Sequence, residues 1–344
     1  MANRSQQHHN STLKSNMLGK RSTLFLALLL FAGFSAFAVA QTRYTVNRPV
    51  STTIPMSIMD ELADYIPNHA TPVRWRTDYK NAMTVAKRSS RCLLIYLSVD
   101  NKTEIPAELA ALPVVSACRK FDTIILDDVE VRSELSQYVL LKLPIDAIIT
   151  GKDGSTTPIY SLPGFEHLVG HPGLLVIDFA RRDEPYYGEV VGVLPFLQGI
   201  SPTTEQTKTF LDLPPGTLTQ RTLIYAVRIH PDQPLSSDGE PAPIMMQLAT
   251  EHALYQAERG VLTHQNFGVR SSRASEVLGS GMPAEICAQS QSGLGLFEGA
   301  IACMRAWRYS SAHWSIAKRT HRYYSYDMAR GKNGAWYGVG FFIN

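Results

Sequence analysis

Two histidines and one carboxylate in the last third of the chain have the residue types for metal or acid–base chemistry. His264 closes a helix-like run from Leu248 to Thr263, in Leu262-Thr263-His264. His313 follows a tryptophan-bearing helix pattern, in Trp307-Arg308-Tyr309-Ser310-Ser311-Ala312-His313. Glu285 lies between them, in Pro283-Ala284-Glu285-Ile286-Cys287-Ala288. Neutral imidazoles are common ligands of divalent metals, and a carboxylate beside them can bind, orient a ring or take a proton. The candidate metal ligands are therefore His264 and His313, with zinc or another divalent cation as the implied cofactor. Glu285 is the candidate catalytic base and the third cleft residue. Each of the three sits beside a different predicted element, so the fold must bring them together.

The ends of the 344-residue chain define its class. Lys20 and Arg21 flank an apolar run, Leu24 to Phe37, that is short for a membrane span. Ala38-Val39-Ala40 then has the small residues of a cleavage site, so residues 1–40 read as a signal peptide and Gln41 as the mature start. An uncleaved anchor is the other reading of this segment. Removing residues 1–40 removes Arg4, Lys14, Lys20 and Arg21 and no acid, which takes the formal charge from +3 to −1. A polyanion-binding reading from overall charge therefore fails, and export disfavours nucleic acid as a partner. No second long apolar segment follows, so no membrane span is expected in the mature chain. The expected location is periplasmic or extracellular.

Four cysteines in an exported chain permit disulfides, and their spacing makes neither a redox nor a zinc pair. Cys287 and Cys303 are the expected disulfide. Cys92 heads a strand pattern and Cys118 falls in a helix pattern, where both read as buried apolar side chains.

Residues 41–70 form a polar, Thr- and Pro-rich lead-in with a helix-like patch at Ser57 to Tyr65. Residues 71–200 alternate strand and helix patterns. Helices are expected at Asp78 to Ser89, Pro106 to Phe121 and Arg132 to Leu140. Strands are expected at Cys92 to Val99, Thr123 to Leu126, Gly173 to Phe179 and Gly188 to Leu194. Lys142 to Leu168 reads as an inserted hairpin turning at Gly151-Lys152-Asp153-Gly154. Residues 201–216 are the expected linker, with its hinge at Asp212-Leu213-Pro214-Pro215-Gly216. In residues 217–344, Leu218 to Arg228 reads as a strand from alternating Leu223, Tyr225 and Val227. Ile244 to Leu262 reads as a helix, with His252 as a helix-packing residue. A second helix is expected at Phe297 to Tyr309 and an aromatic strand at Ala335 to Ile343. The fold class is therefore α/β followed by α+β.

Residues 71–200 resemble the thioredoxin-like fold, a mixed sheet with flanking helices. The resemblance rests on Trp75, the helix with Ala82 and Ala86, strand Leu93 to Leu97, and Gly170-His171-Pro172-Gly173-Leu174-Leu175-Val176-Ile177-Asp178. It implies a cis-proline at Pro172. That family's redox members carry Cys-x-x-Cys after the first central strand, where this chain reads Asp100-Asn101-Lys102-Thr103-Glu104-Ile105. The departure argues against dithiol oxidoreductase activity, which needs a thiolate and a second thiol in reach.

Residues 217–344 resemble the CAP superfamily of SCP domains, an α-β-α sandwich. The resemblance rests on Leu262-Thr263-His264, Ala284-Glu285-Ile286-Cys287, the run from Trp307 through His313, and Trp336-Tyr337-Gly338-Val339-Gly340-Phe341-Phe342. It implies that His264, Glu285 and His313 line a cleft whose histidines can hold a cation such as zinc. Ile286 stands where the family has Asn, Ala284 where it has Gly, and Ser310 where many members have a second glutamate. These departures thin both the metal shell and the supply of bases.

Together these readings describe an exported, non-catalytic two-domain protein whose CAP-like cleft binds a divalent cation or an envelope or extracellular ligand. A metal-assisted, peptidase-like hydrolase of the cell envelope is the second reading. An envelope adhesion or assembly protein is the third. It would use the segment Arg305 to Lys332, where seven basic residues face one acid, Asp327, among Trp314, His321, Tyr323, Tyr324 and Tyr326.

Overall fold

Asp78 starts the first helix by accepting the backbone N–H of Asn81, a side-chain N-cap. The helix, α1 (Tyr79–Ser89), buries Ala82 and Ala86 one turn apart and carries Lys87 and Arg88 at its C-terminal end, where they complement the helix dipole. It ends at Ser90 in the left-handed region. The computed structural model describes residues 73–99, 112–151, 153–279 and 281–344. The expected signal peptide, the lead-in segment and Asp100 to Ile105 lie outside these residues.

After α1, β1 (Leu93–Ser98) is buried along its whole length, as an unbroken apolar run requires of a central strand. It pairs in parallel with β2 (Val139–Pro144) across α2 (Pro113–Lys120) and α3 (Val129–Leu135). The expected inserted hairpin is present as β3 (Ile148–Thr150) and β4 (Thr156–Pro158). On its other edge β1 pairs antiparallel with β5 (Gly173–Ile177), which pairs antiparallel with β6 (Val190–Pro195). The sheet order is β2-β1-β5-β6. Pro172 leads into β5, and its carbonyl accepts the N–H of Phe196 at 2.8 Å.

Two expectations in this lobe are corrected. Thr123 to Leu126 is not a strand, because residues 121–125 form a π-helical turn that continues α2. Thr123 and Ile124 are both exposed between the buried Phe121 and Ile125, whereas an extended chain would point successive residues to opposite faces. The helix expected over Arg132 to Leu140 stops at Leu135, and Val139 and Leu140 belong to β2, where they are buried.

Two helices follow, α4 (Thr204–Leu211) and α5 (Leu218–Arg228), each opened by a Thr-x-x-Gln capping box, Thr203 with Gln206 and Thr217 with Gln220. Residues 204–211 of the expected linker are thus helical, and Asp212 to Gly216 joins the two helices. The strand expected at Leu218 to Arg228 is the helix α5. Every residue from Gln220 to Val227 is buried. The buried stretch includes the polar Gln220, Arg221 and Thr222, so residue type does not separate a buried face from an exposed one in the sequence.

The remaining elements are β7 (Glu240–Pro241), α6 (Pro243–Arg259), α7 (Phe267–Leu278), β8 (Pro283–Gln289), α8 (Leu296–Tyr309), α9 (Ser311–Ala317), β9 (Tyr323–Arg330) and β10 (Trp336–Ile343). The second sheet runs β7-β9-β10-β8, antiparallel except for the short β7–β9 pair. On one face Ile286, Ala288, Tyr324, Tyr326 and Met328 pack with α5 and α8. On the other, Cys287, Val339 and Phe341 pack with α6 and α7. One set of buried residues continues from Leu94, Tyr96 and Phe196 of the first sheet through α5 to Tyr324 and Phe342 of the second. Among the described residues no helix is long and apolar enough to cross a membrane.

All four cysteines are free, so the expected Cys287–Cys303 disulfide is absent. The pleat is the reason. Cys287 packs on the α6 face of the sheet, whereas Cys303 of α8 packs with Ile286 and Ala288 on the other face. Successive strand residues point to opposite sides, and the sheet itself stands between the two sulfurs.

α8 approaches β10 most closely at Gly299, where a side chain would fall inside the Trp336 indole. Gly299→Ala should therefore lower stability by about 1–3 kcal/mol through overpacking, read as a lower urea midpoint with an unchanged slope.

Candidate functional site

The site is built from the end of α6 outward. His252 and Gln256 stand one turn apart on its buried face. The His252 Nε2–H donates to the Thr263 carbonyl at 2.7 Å, and Gln256 Oε1 accepts the Thr263 N–H at 3.0 Å. Between these residues the chain leaves the helix at Gly260, whose left-handed φ of 67° allows the reversal. The two side chains thus clamp both backbone groups of Thr263 and fix the position of the next residue, His264.

Glu285 stands on β8 opposite Phe341 and points to the same face as Cys287. Its side chain is 2% exposed. The His264 Nδ1–H donates to its Oε1 at 2.9 Å. Arg270 of α7 grips the same carboxylate with a fork, Nε to Oε2 and Nη2 to Oε1, both at 2.8 Å. A third donor of Arg270, Nη1, reaches the Gln265 carbonyl at 2.8 Å, so one guanidinium ties α7, the turn after α6 and β8 together.

Burial alone would raise the Glu285 carboxyl. The His264 hydrogen bond, the nearby His252 and the Arg270 guanidinium outweigh it and hold the group below the usual glutamate value. Burial pushes His252 down, which keeps the ring neutral with its proton on Nε2. Burial, with the neighbouring His264, also pushes His313 down. Burial and the Glu285 charge push the Cys287 thiol up, so it is protonated.

Of the three residues expected to converge, the structure brings His264 to Glu285 by hydrogen bond and His264 to His313 by ring proximity. The two imidazole centroids are 6.1 Å apart with planes at 40°. His313 comes from α9, which packs beside β8. Among the described residues, His252, Glu285 and Cys287 form a buried group with ligand atoms within 4.8 Å of one another, a set that could hold a metal ion. His313 is not part of it. Within that group the Arg270 fork already fills the carboxylate, His252 Nε2 is bound to a carbonyl, and the thiol is protonated. It is a hydrogen-bonded cluster in which the Arg270 guanidinium occupies the carboxylate that an ion would need.

A different arrangement faces solvent. The His264 side chain is half exposed, and its Nδ1 is committed to Glu285. In the neutral ring the lone pair is then on Nε2. A carboxylate that fixes the tautomer of a histidine while leaving its other nitrogen open is the usual outer shell of a metal-binding imidazole. Cys287 Sγ also approaches His264 Nδ1, at 3.7 Å, but on the nitrogen that Glu285 occupies. A nucleophile–base–orienter chain needs the two nitrogens to serve different partners, so these residues do not form one.

The three positions that depart from the resembled pattern are explained by place. Ile286 is fully buried on the opposite face from Glu285. Ala284 shares that face, packing at the edge of the same core. Ser310 is the junction of α8 and α9, and its carbonyl accepts the N–H of Trp314. In the basic segment, Trp314, His321, Tyr324 and Tyr326 are buried and belong to the core, whereas Tyr323 is partly exposed and Tyr309 is exposed. Sequence reasoning missed Arg270 and the roles of His252 and Gln256. The available signals were the i, i+4 spacing of His252 with Gln256 and of Arg270 with Ala274. No protein-family model matches the chain, and no curated protein matches it.

Arg270→Met would leave a buried carboxylate with half its partners and should cost about 3–5 kcal/mol, whereas the double variant Arg270→Met/Glu285→Gln should recover part of that loss in denaturant unfolding. The sign of the pH effect follows from the depressed Glu285 pKa. Its contribution is fully present above the ordinary glutamate range and is lost as the pH falls through the folded value. The stability difference between wild type and Glu285→Gln should therefore shrink on the acid side and stay constant above it, as read from urea midpoints across pH.

Proposed function

We propose that the chain is an exported, non-catalytic binding protein whose second lobe takes a divalent cation, zinc in the first instance, at the edge formed by His264 and His313. The observation that carries this reading is the Glu285–His264 hydrogen bond, which commits His264 Nδ1 and leaves Nε2 uncommitted, on a ring whose centroid is 6.1 Å from that of His313. Two imidazoles leave coordination positions for water or for a ligand side chain, so an envelope or extracellular ligand would complete the site.

The lobes fit the resemblances drawn from sequence. A parallel β1–β2 pair beside an antiparallel β5–β6 pair, in the order β2-β1-β5-β6, supports a thioredoxin-like first lobe without its Cys-x-x-Cys. A four-stranded sheet with helices on both faces and an aromatic last strand supports a CAP-like second lobe.

Hydrolysis is the weaker reading because of Arg270. A general base needs a free lone pair near the reacting water. Both Glu285 oxygens are occupied by a guanidinium, and the carboxylate is a poor base with its pKa pressed down.

Zinc titration by calorimetry tests the proposal. Wild type should bind one ion per chain. His264→Ala and His313→Ala should each abolish saturable uptake, and Glu285→Gln should weaken it about 10–100-fold by releasing the His264 ring. Equal or negligible uptake by wild type and both histidine variants would overturn it.

A further inference from the structure

The end of α8 and the short helix α9 carry positive charge that the chain itself does not balance. From Arg305 to Arg322 there are five basic residues and no acid. All five are exposed. Arg308 meets a carboxylate, pairing through Nε with Asp232. Arg305, Lys318, Arg319 and Arg322 form no ion pair among the described residues. Like charges gathered on one surface repel, and an anion from outside the chain relieves that repulsion.

Three of these charges line one open hollow of about 750 Å³. Its wall holds the cations Arg308, Lys318 and Arg319 and the hydroxyl-bearing Tyr309, Ser311 and Ser315. Trp314 also lines it, 8% exposed and covered by the Arg308 guanidinium 5.0 Å from its ring centre. Ser311, Trp314, Ser315 and Lys318 recur at i, i+3, i+4 and i+7, so they share one side of α9 and of the residue that ends it. Arg305 lies one turn before Arg308 and Tyr309 on α8. His313 is on the other side of α9, where its ring meets His264. The hollow and the proposed cation edge therefore share no residue, and either can fail alone.

The lining favours one class of anion. The Tyr309 ring, 89% exposed, offers a flat apolar face with a polar tip. The Ser315 hydroxyl donates to the Ala312 carbonyl at 2.8 Å, which leaves its lone pairs for a donor from outside. A sugar ring suits both, with C–H groups on its face and hydroxyls around its edge. A bilayer surface would call for a protruding apolar set, and Tyr309 is the one exposed large apolar residue lining the hollow. Single-stranded nucleic acid would call for a row of stacking rings for successive bases.

We propose that this hollow binds an acidic polysaccharide, with its carboxylate or sulfate groups held by Arg308, Lys318 and Arg319 and a sugar ring stacked on Tyr309.

The test uses the full chain and fluorescence anisotropy with labelled polygalacturonate and labelled heparin. Neutral dextran is the blank, and single-stranded DNA and phosphatidylglycerol vesicles are the competing anions. At least one acidic polysaccharide should bind saturably. Binding of polygalacturonate alone would identify carboxylate as the recognised group, and of heparin alone sulfate. The double variant Lys318→Gln/Arg319→Gln should weaken that binding about tenfold and flatten its dependence on sodium chloride. Tyr309→Ala should weaken it about fivefold and leave the salt dependence as in wild type. All three side chains are exposed, so the variants should fold as wild type does. Four results would each overturn the proposal: no binding beyond dextran, equal binding by the double variant, equal binding by Tyr309→Ala, or binding of the DNA or the vesicles as tight as that of the polysaccharide.

Discussion

The second lobe is organised around the cost of burying one negative charge. Glu285 lies in a strand between two helical layers, and a carboxylate there is tolerable only if its lone pairs are filled. Arg270 and His264 fill them. Satisfying one strand residue therefore fixes the docking of α7, which buries only Arg270 and Ala274, and the path of the turn after α6. α7 also packs Phe267, Ala274 and Leu278 near Phe341, so the guanidinium fork adds a polar anchor to a small apolar contact.

A second buried acid on the same sheet has the opposite fate. Asp327 sits on β9 across β10 from Cys287, on the face that α6 covers. It has no ion-pair partner among the described residues, and burial raises its pKa. The Thr250 hydroxyl lies against Asp327 and within 3.0 Å of the Met246 carbonyl. Asp327 Oδ1 also accepts the backbone N–H of Met328 at 2.7 Å. An arginine meets Glu285 and helps hold its pKa down, whereas none meets Asp327 and burial raises its pKa. The contrast ties the chemistry of the cleft to Arg270: without that residue Glu285 would move toward the state of Asp327, and His264 would lose the acceptor that fixes its tautomer.

What the residues reveal in advance depends on whether burial is one-sided. β1 and β10 are uniformly apolar, and α6 and α8 carry stripes, so their positions can be read from composition and period. α5 is enclosed between the lobes, and its alternating Leu223, Tyr225 and Val227 imitate a strand; the Thr217–Gln220 capping box was the local signal that favoured a helix. The Cys287–Cys303 pairing failed for lack of facing information, since proximity in sequence does not state which side of a sheet a residue occupies. The site was half legible. His264, Glu285 and His313 have types that draw notice, whereas Arg270 looks like any surface arginine in a polar helix until the carboxylate it serves is placed.

The enclosed helix also governs how the two lobes can act. α5 contributes Leu223, Ile224 and Val227 to the same buried set as Tyr96 and Phe196 on one side and Tyr324 on the other. Separating the lobes would expose that whole set, so the loop after β5 and the start of α6 are held at a fixed spacing. The same rigidity explains how Arg221 of α5 can remain buried with Nε and Nη2 unpartnered among the described residues. The apolar packing around α5 outweighs the electrostatic cost and keeps the guanidinium closed to solvent, held by the Leu213 and Pro214 carbonyls.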